Sequence, residues 1–314
     1  MEQNRNLEQG GAGRRLVFCL TEEDAGRSIR AYLKGRHGFS RRILSRLMRT
    51  PGAVTLDGAP VPLNFFLTAP GTLALTLPEE QEAPLASAAQ EAAVVWEDDD
   101  LIVLDKPAGM PTHPSAGHQT DTLANALAAR QRARGESYLF RPVNRLDRNT
   151  TGLVLAAKNA YAASRLAGVP EKRYFALVHG RVEEAGVIDA PIRRREGSRI
   201  EREVGAGGDP AVTRYTPLDS AVDYTLLTVT TETGRTHQIR VHLASVGHPL
   251  VGDDLYGGHF ALGMRRHALH CGEMWFSHPV TGETLRFRAP LPADFAAACA
   301  AAGLALPAAA MEKN

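Results

Sequence analysis

The sequence is poor in cysteine and in aromatic residues, and it has no long apolar run. Its three cysteines lie far apart, at positions 19, 271 and 299. This spacing supports neither a disulfide framework nor a zinc site built from paired ligands. About 18 consecutive apolar residues are needed to cross a bilayer, and no stretch of the chain reaches that length. Residues 1–15 are polar and charged, unlike a secretion signal, so we expect a cytoplasmic protein without membrane association.

An excess of one charge is also missing. The 36 Lys and Arg residues and the 35 Asp and Glu residues give a formal net charge of +1. If the protein binds nucleic acid, the binding surface must therefore come from local clusters of basic residues. No Gly-rich phosphate loop of the P-loop kind is present. With 314 residues, 44% of them hydrophobic, the chain can build one large domain and one small domain.

Composition changes along the chain and predicts five segments. In the longest segment, strand-like apolar runs occur at 101–104, 153–157, 174–178, 224–229 and 285–288. A helix is predicted at 122–134. The irregular spacing does not fit repeated βαβ units, so we predict an α+β fold and not a Rossmann sheet. The predicted segments are a flexible N-terminus (1–14), a small domain (15–79), an acidic, Ala-rich linker (80–92), the α+β domain (93–300) and a flexible C-terminal tail (301–314).

The small domain contains a strongly basic segment. Between Gly26 and Thr50 there are eight Lys or Arg residues and no Asp or Glu. The eight are Arg27, Arg30, Lys34, Arg36, Arg41, Arg42, Arg46 and Arg49. A cluster of this kind can bind a phosphate backbone, or it can simply be the solvated face of a helix.

The same domain predicts short helices that lead into a β-hairpin. Ser40 is a suitable N-cap, and the apolar positions that follow it at helical spacing are Ile43, Leu44, Leu47 and Met48. Asp57-Gly58 predicts a tight hairpin turn. Leucines alternate at 73, 75 and 77, as in a half-buried strand.

Two short helices followed by V-x-L-D-G-x-x-V (54–61) resemble the S-four-like (alpha-L) RNA-binding module of a small-subunit ribosomal protein. The resemblance consists mostly of arginines, glycines and spaced apolar positions. It implies that the small domain binds RNA. The residues that we expect to contact RNA are Arg27, Lys34, Arg41, Arg42 and Arg46.

The most informative segment contains a carboxylate between two arginines. Asp147 lies between Arg145 and Arg148 in a polar turn that leads through Gly152 into an apolar strand. Positive neighbours would hold this carboxylate ionised. An ionised carboxylate can act as a nucleophile or a base but not as a proton donor. Taken alone, the pattern also fits an aspartate that only caps a turn.

The segment is not alone, because R-L-D-x-x-T-x-G-L (145–153) is accompanied by further motifs in a fixed order. The set resembles the RluA-type pseudouridine synthases, and it extends over most of residues 93–290. The resemblance implies a mixed, largely antiparallel sheet with flanking helices and a central basic cleft. The accompanying motifs are L-I-V-L-D-K-P-A-G-M (101–110), K-R-Y-F-A-L-V-H-G (172–180), G-R-T-H-Q-I-R-V-H-L (234–243), G-H-P-L-V-G-D (247–253), R-H-A-L-H (266–270) and F-S-H-P (276–279).

The resemblance also implies roles for individual residues. Asp147 would attack the uridine, Arg240 would form a salt bridge with Asp147, and Tyr174 would pack on the uracil ring. Arg145 would enter the space vacated by the flipped nucleotide. The covalent adduct could form at C1′ of the ribose or at C6 of the base, and the Tyr174 phenol could also help to remove the C5 proton. No cofactor and no metal are expected.

Two features depart from the family pattern. Asn144 stands where many relatives have histidine before the R-L-D arginine, and an amide can replace the hydrogen bonds of that ring but not its titration. The interval 158–172 is short, so we expect a shortened helix between the catalytic strand and the strand of Tyr174. His267, His270 and His278 do not follow a zinc pattern, and we interpret them as structural.

We therefore predict an enzyme that isomerises uridines in structured RNA. The S-four-like module favours large-subunit ribosomal RNA over transfer RNA, and no obligatory protein partner is expected. The alternatives are a transfer RNA pseudouridine synthase and a catalytically silent RNA-binding protein with the same fold. A carboxylate glycosidase would need a second acid paired with Asp147, and no motif supplies one.

Overall fold

The computed structural model describes residues 13–68, 70–78, 85, 90–136 and 138–307. The chain divides into two compact units. The first unit comprises Met1–Ala83, Ser137–Arg141 and Ala157–Arg165, and the second comprises Pro84–Glu136, Pro142–Ala156 and Leu166–Asn314. Most of the predicted flexible N-terminus (1–14) and of the predicted linker (80–92) lies outside the described residues.

Helices and strands alternate irregularly along the described chain. The helices are α1 (Ile29–His37), α2 (Arg41–Arg49), α3 (Leu123–Arg134), α4 (Ala160–Leu166), α5 (Gln238–Ser245) and α6 (Ala293–Ala301). The strands are β1 (Arg15–Leu20), β2 (Val54–Leu56), β3 (Ala59–Pro60), β4 (Gly71–Thr76), β5 (Ala93–Glu97), β6 (Leu101–Lys106), β7 (Arg141–Pro142), β8 (Thr151–Ala157), β9 (Glu171–His179), β10 (Gly186–Asp189), β11 (Ile192–Arg194), β12 (Arg202–Val204), β13 (Val212–Ser220), β14 (Tyr224–Thr231), β15 (Leu269–Ser277) and β16 (Thr284–Arg288). Within the described part of the chain, no helix combines the length and the apolar character needed to cross a bilayer.

In the first unit, α2 begins at the predicted residue. The Ser40 side chain accepts a hydrogen bond from the Ile43 backbone N–H at 3.3 Å, which satisfies one of the free donors at the helix start. Leu44 and Leu47 are buried together with Ile43. The prediction that Met48 shares this apolar face is wrong, because Met48 is 59% exposed. It lies at the edge of the face, one residue beyond Leu47.

The predicted hairpin is also present in the first unit. Asp57 and Gly58 both have positive φ angles, 48° and 83°, as a tight turn between β2 and β3 requires. The four strands are ordered β1-β4-β2-β3, and their pairings are antiparallel. Leucines 73, 75 and 77 are buried in one apolar cluster with both helices, which confirms the predicted alternation.

The second unit is built on a ten-stranded mixed sheet. Its main path is β10-β13-β14-β9-β15-β8-β6-β5, with β16 on β15 and β7 on β8. β8 and β15 run parallel, whereas β15 pairs with β9 and β16 in antiparallel fashion, as do β14 with β9 and β13. This is the α+β fold with a largely antiparallel sheet that was predicted. The five apolar runs all fall within strands, and α3 begins after Thr122 as expected.

The chain remains packed beyond residue 301, where the flexible tail was predicted to begin. α6 ends at Ala301, and Leu304 is buried in a cluster with Phe295 and Cys299. Its backbone N–H bonds the Cys299 carbonyl at 2.9 Å. The predicted boundary is therefore too early, because an apolar residue after the helix end anchors the chain. Residues 308–314 lie outside the described residues.

Gly152 of the R-L-D motif is required by the close approach of two strands. Its φ is +107°, and a Cβ placed there would overlap the backbone of Cys271 on the paired strand β15. Gly282, in the turn before β16, also has a positive φ of 74°, but a Cβ there would meet nothing within 4 Å. A side chain at position 152 would therefore cause both backbone strain and overlap, whereas one at position 282 would cause backbone strain alone.

We predict that Gly152→Ala lowers the free energy of unfolding by at least about 2 kcal/mol more than Gly282→Ala does, because overlap adds to strain. Gly282→Ala should cost about 1 kcal/mol from the left-handed backbone alone. Denaturant unfolding of both variants measures the difference. Equal losses would show that the β8–β15 contact can relax.

Candidate active site

Asp147 lies in the loop that precedes β8, with 26% of its side chain exposed. The preceding residue, Leu146, is buried and tied to Thr112 in both directions. Its backbone N–H donates to the Thr112 hydroxyl oxygen at 3.2 Å, and its carbonyl accepts from that hydroxyl at 3.0 Å. The carboxylate thus projects from a backbone that is fixed on its N-terminal side.

Lys106 fixes the same loop on the other side. This lysine is fully buried, and its Nζ donates to the carbonyl oxygens of Pro107, Met110 and Arg148 at 2.9, 2.8 and 3.0 Å. Burial lowers the pKa of Lys106 to about 7, and the three carbonyl oxygens accept from its ammonium form. Sequence analysis included Lys106 in a motif but gave it no role.

Arg240 of α5 brings two carboxylates together. Its Nη1 lies 3.3 Å from Asp147 Oδ2, and its Nε and Nη2 donate to the two oxygens of Asp253 at 2.7 and 2.8 Å. Arg240 is 7% exposed and Asp253 1%. Burial lowers the pKa of Arg240, but the hydrogen bonds and charges of Asp253 and Asp147 outweigh burial and raise it. Asp253 ends the motif 247–253, but the sequence alone indicated no role for it.

A pocket of about 90 Å³ opens beside these groups. Tyr174 of β9 is buried against it, and burial raises the pKa of the phenol well above its usual value, so the ring is neutral. Arg145 is exposed and lines both this pocket and a neighbouring cavity of about 650 Å³. The structure therefore places all four predicted catalytic-domain residues, Asp147, Arg145, Tyr174 and Arg240, around one pocket.

His237 is a further pocket residue that sequence analysis did not single out. It immediately precedes α5 and has a positive φ of 58°. Its Nδ1 lies 2.7 Å from the Tyr256 hydroxyl oxygen, and its Nε2 lies 3.9 Å from Asp147 Oδ2. The sequence signal that could have identified His237 is its position in the motif 234–243, which also contains Arg240.

Asn144 and two of the histidines form structural hydrogen bonds. The Asn144 amide donates to the Leu153 carbonyl at 3.1 Å and accepts from the Leu155 N–H at 2.9 Å, so it uses both functions expected of it. His267 bonds Thr150 at 2.8 Å, and His270 bonds Thr151 at 2.9 Å. These contacts join the catalytic loop and β8 to β15 and the segment before it.

One group within the described residues, formed by Asp98, Asp100 and His278, has the spacing of a metal site. The Nδ1 atom of His278 accepts N–H bonds from Val280 and Thr281 at 3.3 and 3.0 Å. In a neutral imidazole the proton must then be on Nε2, which faces Asp98 Oδ2 at 2.9 Å. This tautomer leaves no lone pair on Nε2 for a metal ion.

The basic residues of the first unit have different surroundings. Seven of the eight are exposed: Arg27, Arg30, Lys34, Arg36, Arg41, Arg42 and Arg49. Of these, Arg36 also forms an ion pair of 2.6 Å with the buried Asp24, and the half-buried Arg46 donates to the Pro78 carbonyl at 3.2 Å. These two arginines therefore contribute to the fold of the unit as well as to its charge.

We predict that Asp253→Asn lowers the free energy of unfolding by about 3 kcal/mol, because it leaves a buried guanidinium without its two-point partner. The neighbouring Asp254 is exposed, so Asp254→Asn is the matched control and should change stability little. Denaturant unfolding of both variants at one pH tests this. Equal stability of the two variants would mean that Asp147 alone can balance Arg240.

The chain is similar in sequence to known proteins. The family model for RNA pseudouridylate synthase matches residues 100–245. The uncharacterized RNA pseudouridine synthase YlyB of Bacillus subtilis is 36% identical over 288 residues, which cover 89% of this chain and 95% of that protein. The ribosomal large subunit pseudouridine synthase D of Pseudomonas aeruginosa is 37% identical over 262 residues, 78% of this chain and 82% of its own.

A solved structure shows that the fold is shared as well. Human RNA pseudouridylate synthase domain containing 4 superposes with a TM-score of 0.55 at 24% identity, covering 68% of this chain and 94% of its own. Together with the ordered motifs, these relatives show that the chain belongs to the RluA-type family of RNA pseudouridine synthases and is an isomerase.

Proposed function

We propose that this RNA pseudouridine synthase acts on large-subunit ribosomal RNA and that Asp147 is its nucleophile. The main support for the nucleophile is the placement of one carboxylate in the pocket, 3.3 Å from the buried Arg240 guanidinium and beside the neutral ring of Tyr174. An ionised, oriented carboxylate next to a flat surface is what attack on a flipped-out nucleoside requires.

The reaction must detach uracil from the ribose, retain it, and rejoin it through carbon. A carboxylate oxygen of Asp147 bonds either to C1′ of the ribose or to C6 of the uracil. The bond between C1′ and N1 breaks and C5 bonds to C1′. The bond to Asp147 then breaks, the C5 proton leaves, and N1 takes up a proton, so that the product is an isomer of uridine and the carboxylate is restored. A covalent adduct divides this exchange into easier steps. In both routes a carboxylate oxygen of Asp147 must point at the nucleoside, and the hydrogen bond from Arg240 Nη1 at 3.3 Å orients the carboxylate.

The other pocket residues hold the nucleotide in place. Tyr174 supplies a stacking surface for the extruded base, and we assign it packing rather than proton removal, because its raised pKa keeps the phenol protonated. Arg145 is exposed and lies two residues before Asp147 in the sequence. We assign it the space that the flipped nucleotide leaves in the RNA, since its long cationic side chain can stack on bases.

The choice of RNA rests on relatives and on charge. The Pseudomonas aeruginosa relative is a large-subunit enzyme by name, and a second protein of that name, from Nitrosomonas europaea, is 42% identical over 217 residues. The exposed basic residues of the first unit supply positive charge for a folded RNA. We assign that unit the S-four-like RNA-binding role.

We predict that deleting the gene removes pseudouridine from specific positions of large-subunit ribosomal RNA. Wild-type protein should restore these positions, and Asp147→Asn should not, because an amide cannot act as the nucleophile. Asp223→Asn, which changes an exposed carboxylate of the same unit, is the control and should restore them. Sequencing of pseudouridines in ribosomal and transfer RNA from each strain provides the measurement.

The outcomes separate the two parts of the proposal. Loss of pseudouridine from transfer RNA alone would replace the ribosomal substrate with the transfer RNA alternative. Restoration by Asp147→Asn would exclude the nucleophile while leaving the substrate unchanged.

A second prediction concerns RNA binding by the first unit. Replacing Arg27, Arg41 and Arg42 by Ala should weaken binding to folded RNA and reduce its salt dependence, by about 0.7 to 0.9 in the log–log slope for each phosphate that is no longer neutralised. Arg46 is tested separately because it also bonds Pro78. Binding measured between about 50 and 200 mM salt, a range over which a protein bound to several phosphates loses about 10³ or more in affinity, gives the slope.

The control for this prediction removes exposed arginines of the second unit, with Arg134→Ala and Arg181→Ala combined. The single-turnover rate on a short, saturating substrate should survive in both variants, since neither changes the pocket. If the triple variant bound folded RNA with unchanged affinity and salt slope, the basic segment would be only a solvated helix face and not an RNA-binding surface.

A further inference from the structure

His237 is held in an uncommon backbone conformation at the edge of the pocket. Its φ of 58° lies in the left-handed region, which few residues other than glycine adopt, although histidine does so more often than most. The conformation directs the imidazole towards Asp147 from the start of α5, three residues before Arg240. Its Nε2 reaches to 3.9 Å from Asp147 Oδ2.

Hydrogen bonds around Tyr256 define which ring nitrogen carries the proton. The Tyr256 hydroxyl oxygen accepts the Arg202 backbone N–H at 2.9 Å and lies 2.7 Å from His237 Nδ1. Because this oxygen already accepts the Arg202 N–H, we assign the hydroxyl proton to the contact with Nδ1, which then accepts. Burial lowers the pKa of His237, so the ring is neutral and its one N–H is on Nε2.

The Nε2–H group faces the pocket without being bonded to Asp147. A separation of 3.9 Å is beyond hydrogen-bond distance, so the donor remains available to a ligand next to the carboxylate. Arg240 is already engaged, because three of its five N–H groups bond carboxylate oxygens. The pocket thus contains a neutral donor adjacent to the oxygen that attacks.

We propose that His237 is a further catalytic residue, whose Nε2–H donates a hydrogen bond to a carbonyl oxygen of the target uracil when Asp147 bonds to the nucleoside. This rests on the proposed role of Asp147. Attack at C1′ sends the electron pair of the C1′–N1 bond into the uracil, and attack at C6 sends the C5–C6 pair towards C5 and O4. Either route increases the negative charge on uracil carbonyl oxygens, and the proton remains on Nε2 throughout.

Two substitutions test the donor atom itself. Asparagine places its amide where Nδ1 is, tolerates the left-handed backbone and lacks a donor at the Nε2 position. Glutamine is one carbon longer and can place its N–H near Nε2. We expect His237→Asn to lower the single-turnover rate about 100-fold, as the loss of a transition-state donor does, and His237→Gln to recover most of this loss. Both variants should bind target RNA with wild-type affinity.

A thio-substituted substrate makes the test independent of folding. Sulfur is a weak acceptor, so target RNA with 2-thiouridine or 4-thiouridine should slow the wild type at the carbonyl that His237 contacts. In His237→Asn and in Tyr256→Phe, which removes the hydroxyl that orients the ring, the same replacement should have a smaller relative effect. Ratios of rates within one variant do not depend on how much of it is folded.

Three results would overturn the inference. They are a wild-type rate in His237→Asn, an equal loss in the asparagine and glutamine variants, and identical thio effects at both carbonyls in the wild type and in the variants. An active Asp147→Asn enzyme would instead overturn the proposed nucleophile, so the two failures can be distinguished.

Discussion

The candidate active site depends on the hydrogen bonds that the buried guanidinium of Arg240 makes with two carboxylates. A charge removed from water costs several kcal/mol unless it is paired and hydrogen-bonded, and this one lies between two carboxylates from distant parts of the chain. Asp253 binds two of its nitrogens, at 2.7 and 2.8 Å. The third nitrogen is thereby directed at Asp147. The geometry of the proposed nucleophile is thus determined partly by Asp253, which does not line the pocket.

Asp147 itself is placed by backbone contacts rather than by its flanking side chains. The loop is bonded to Thr112 before the carboxylate and to Lys106 after it. Arg148 turns away, and its Nε donates to the Gly109 carbonyl at 3.3 Å. Rigid support of this kind matters because small errors in the position of a reacting group are costly in rate. The segment around 101–112 therefore supports the loop that carries Asp147.

Much of the fold could be predicted from the sequence, but the partners of the site residues could not. Apolar runs such as 101–104 and 153–157 locate strands because burial on both faces leaves a continuous signal. β15 was not predicted, since Gly272 and the buried Glu273 interrupt its apolar pattern. All four of Asp147, Arg240, Asp253 and His237 lie in motifs, but the resemblance implied roles only for Asp147 and Arg240. The contacts of Asp253 and His237 depend on the fold and could not be predicted from their positions in the sequence.

The same limit applies to charge. The sequence gives the number of charged residues but does not show which of them form ion pairs. In the second unit, Arg173 and Arg286 lie 3.0 and 2.8 Å from the buried carboxylate of Glu273, and Arg266 is paired with Asp294 at 2.8 Å. These carboxylates offset part of the positive charge of the arginines that they pair with. On α1 and α2 no acidic side chain is present, and most cations are exposed. A chain with a net charge of +1 can therefore still present a concentrated positive field, because its opposite charges are unevenly distributed along the sequence.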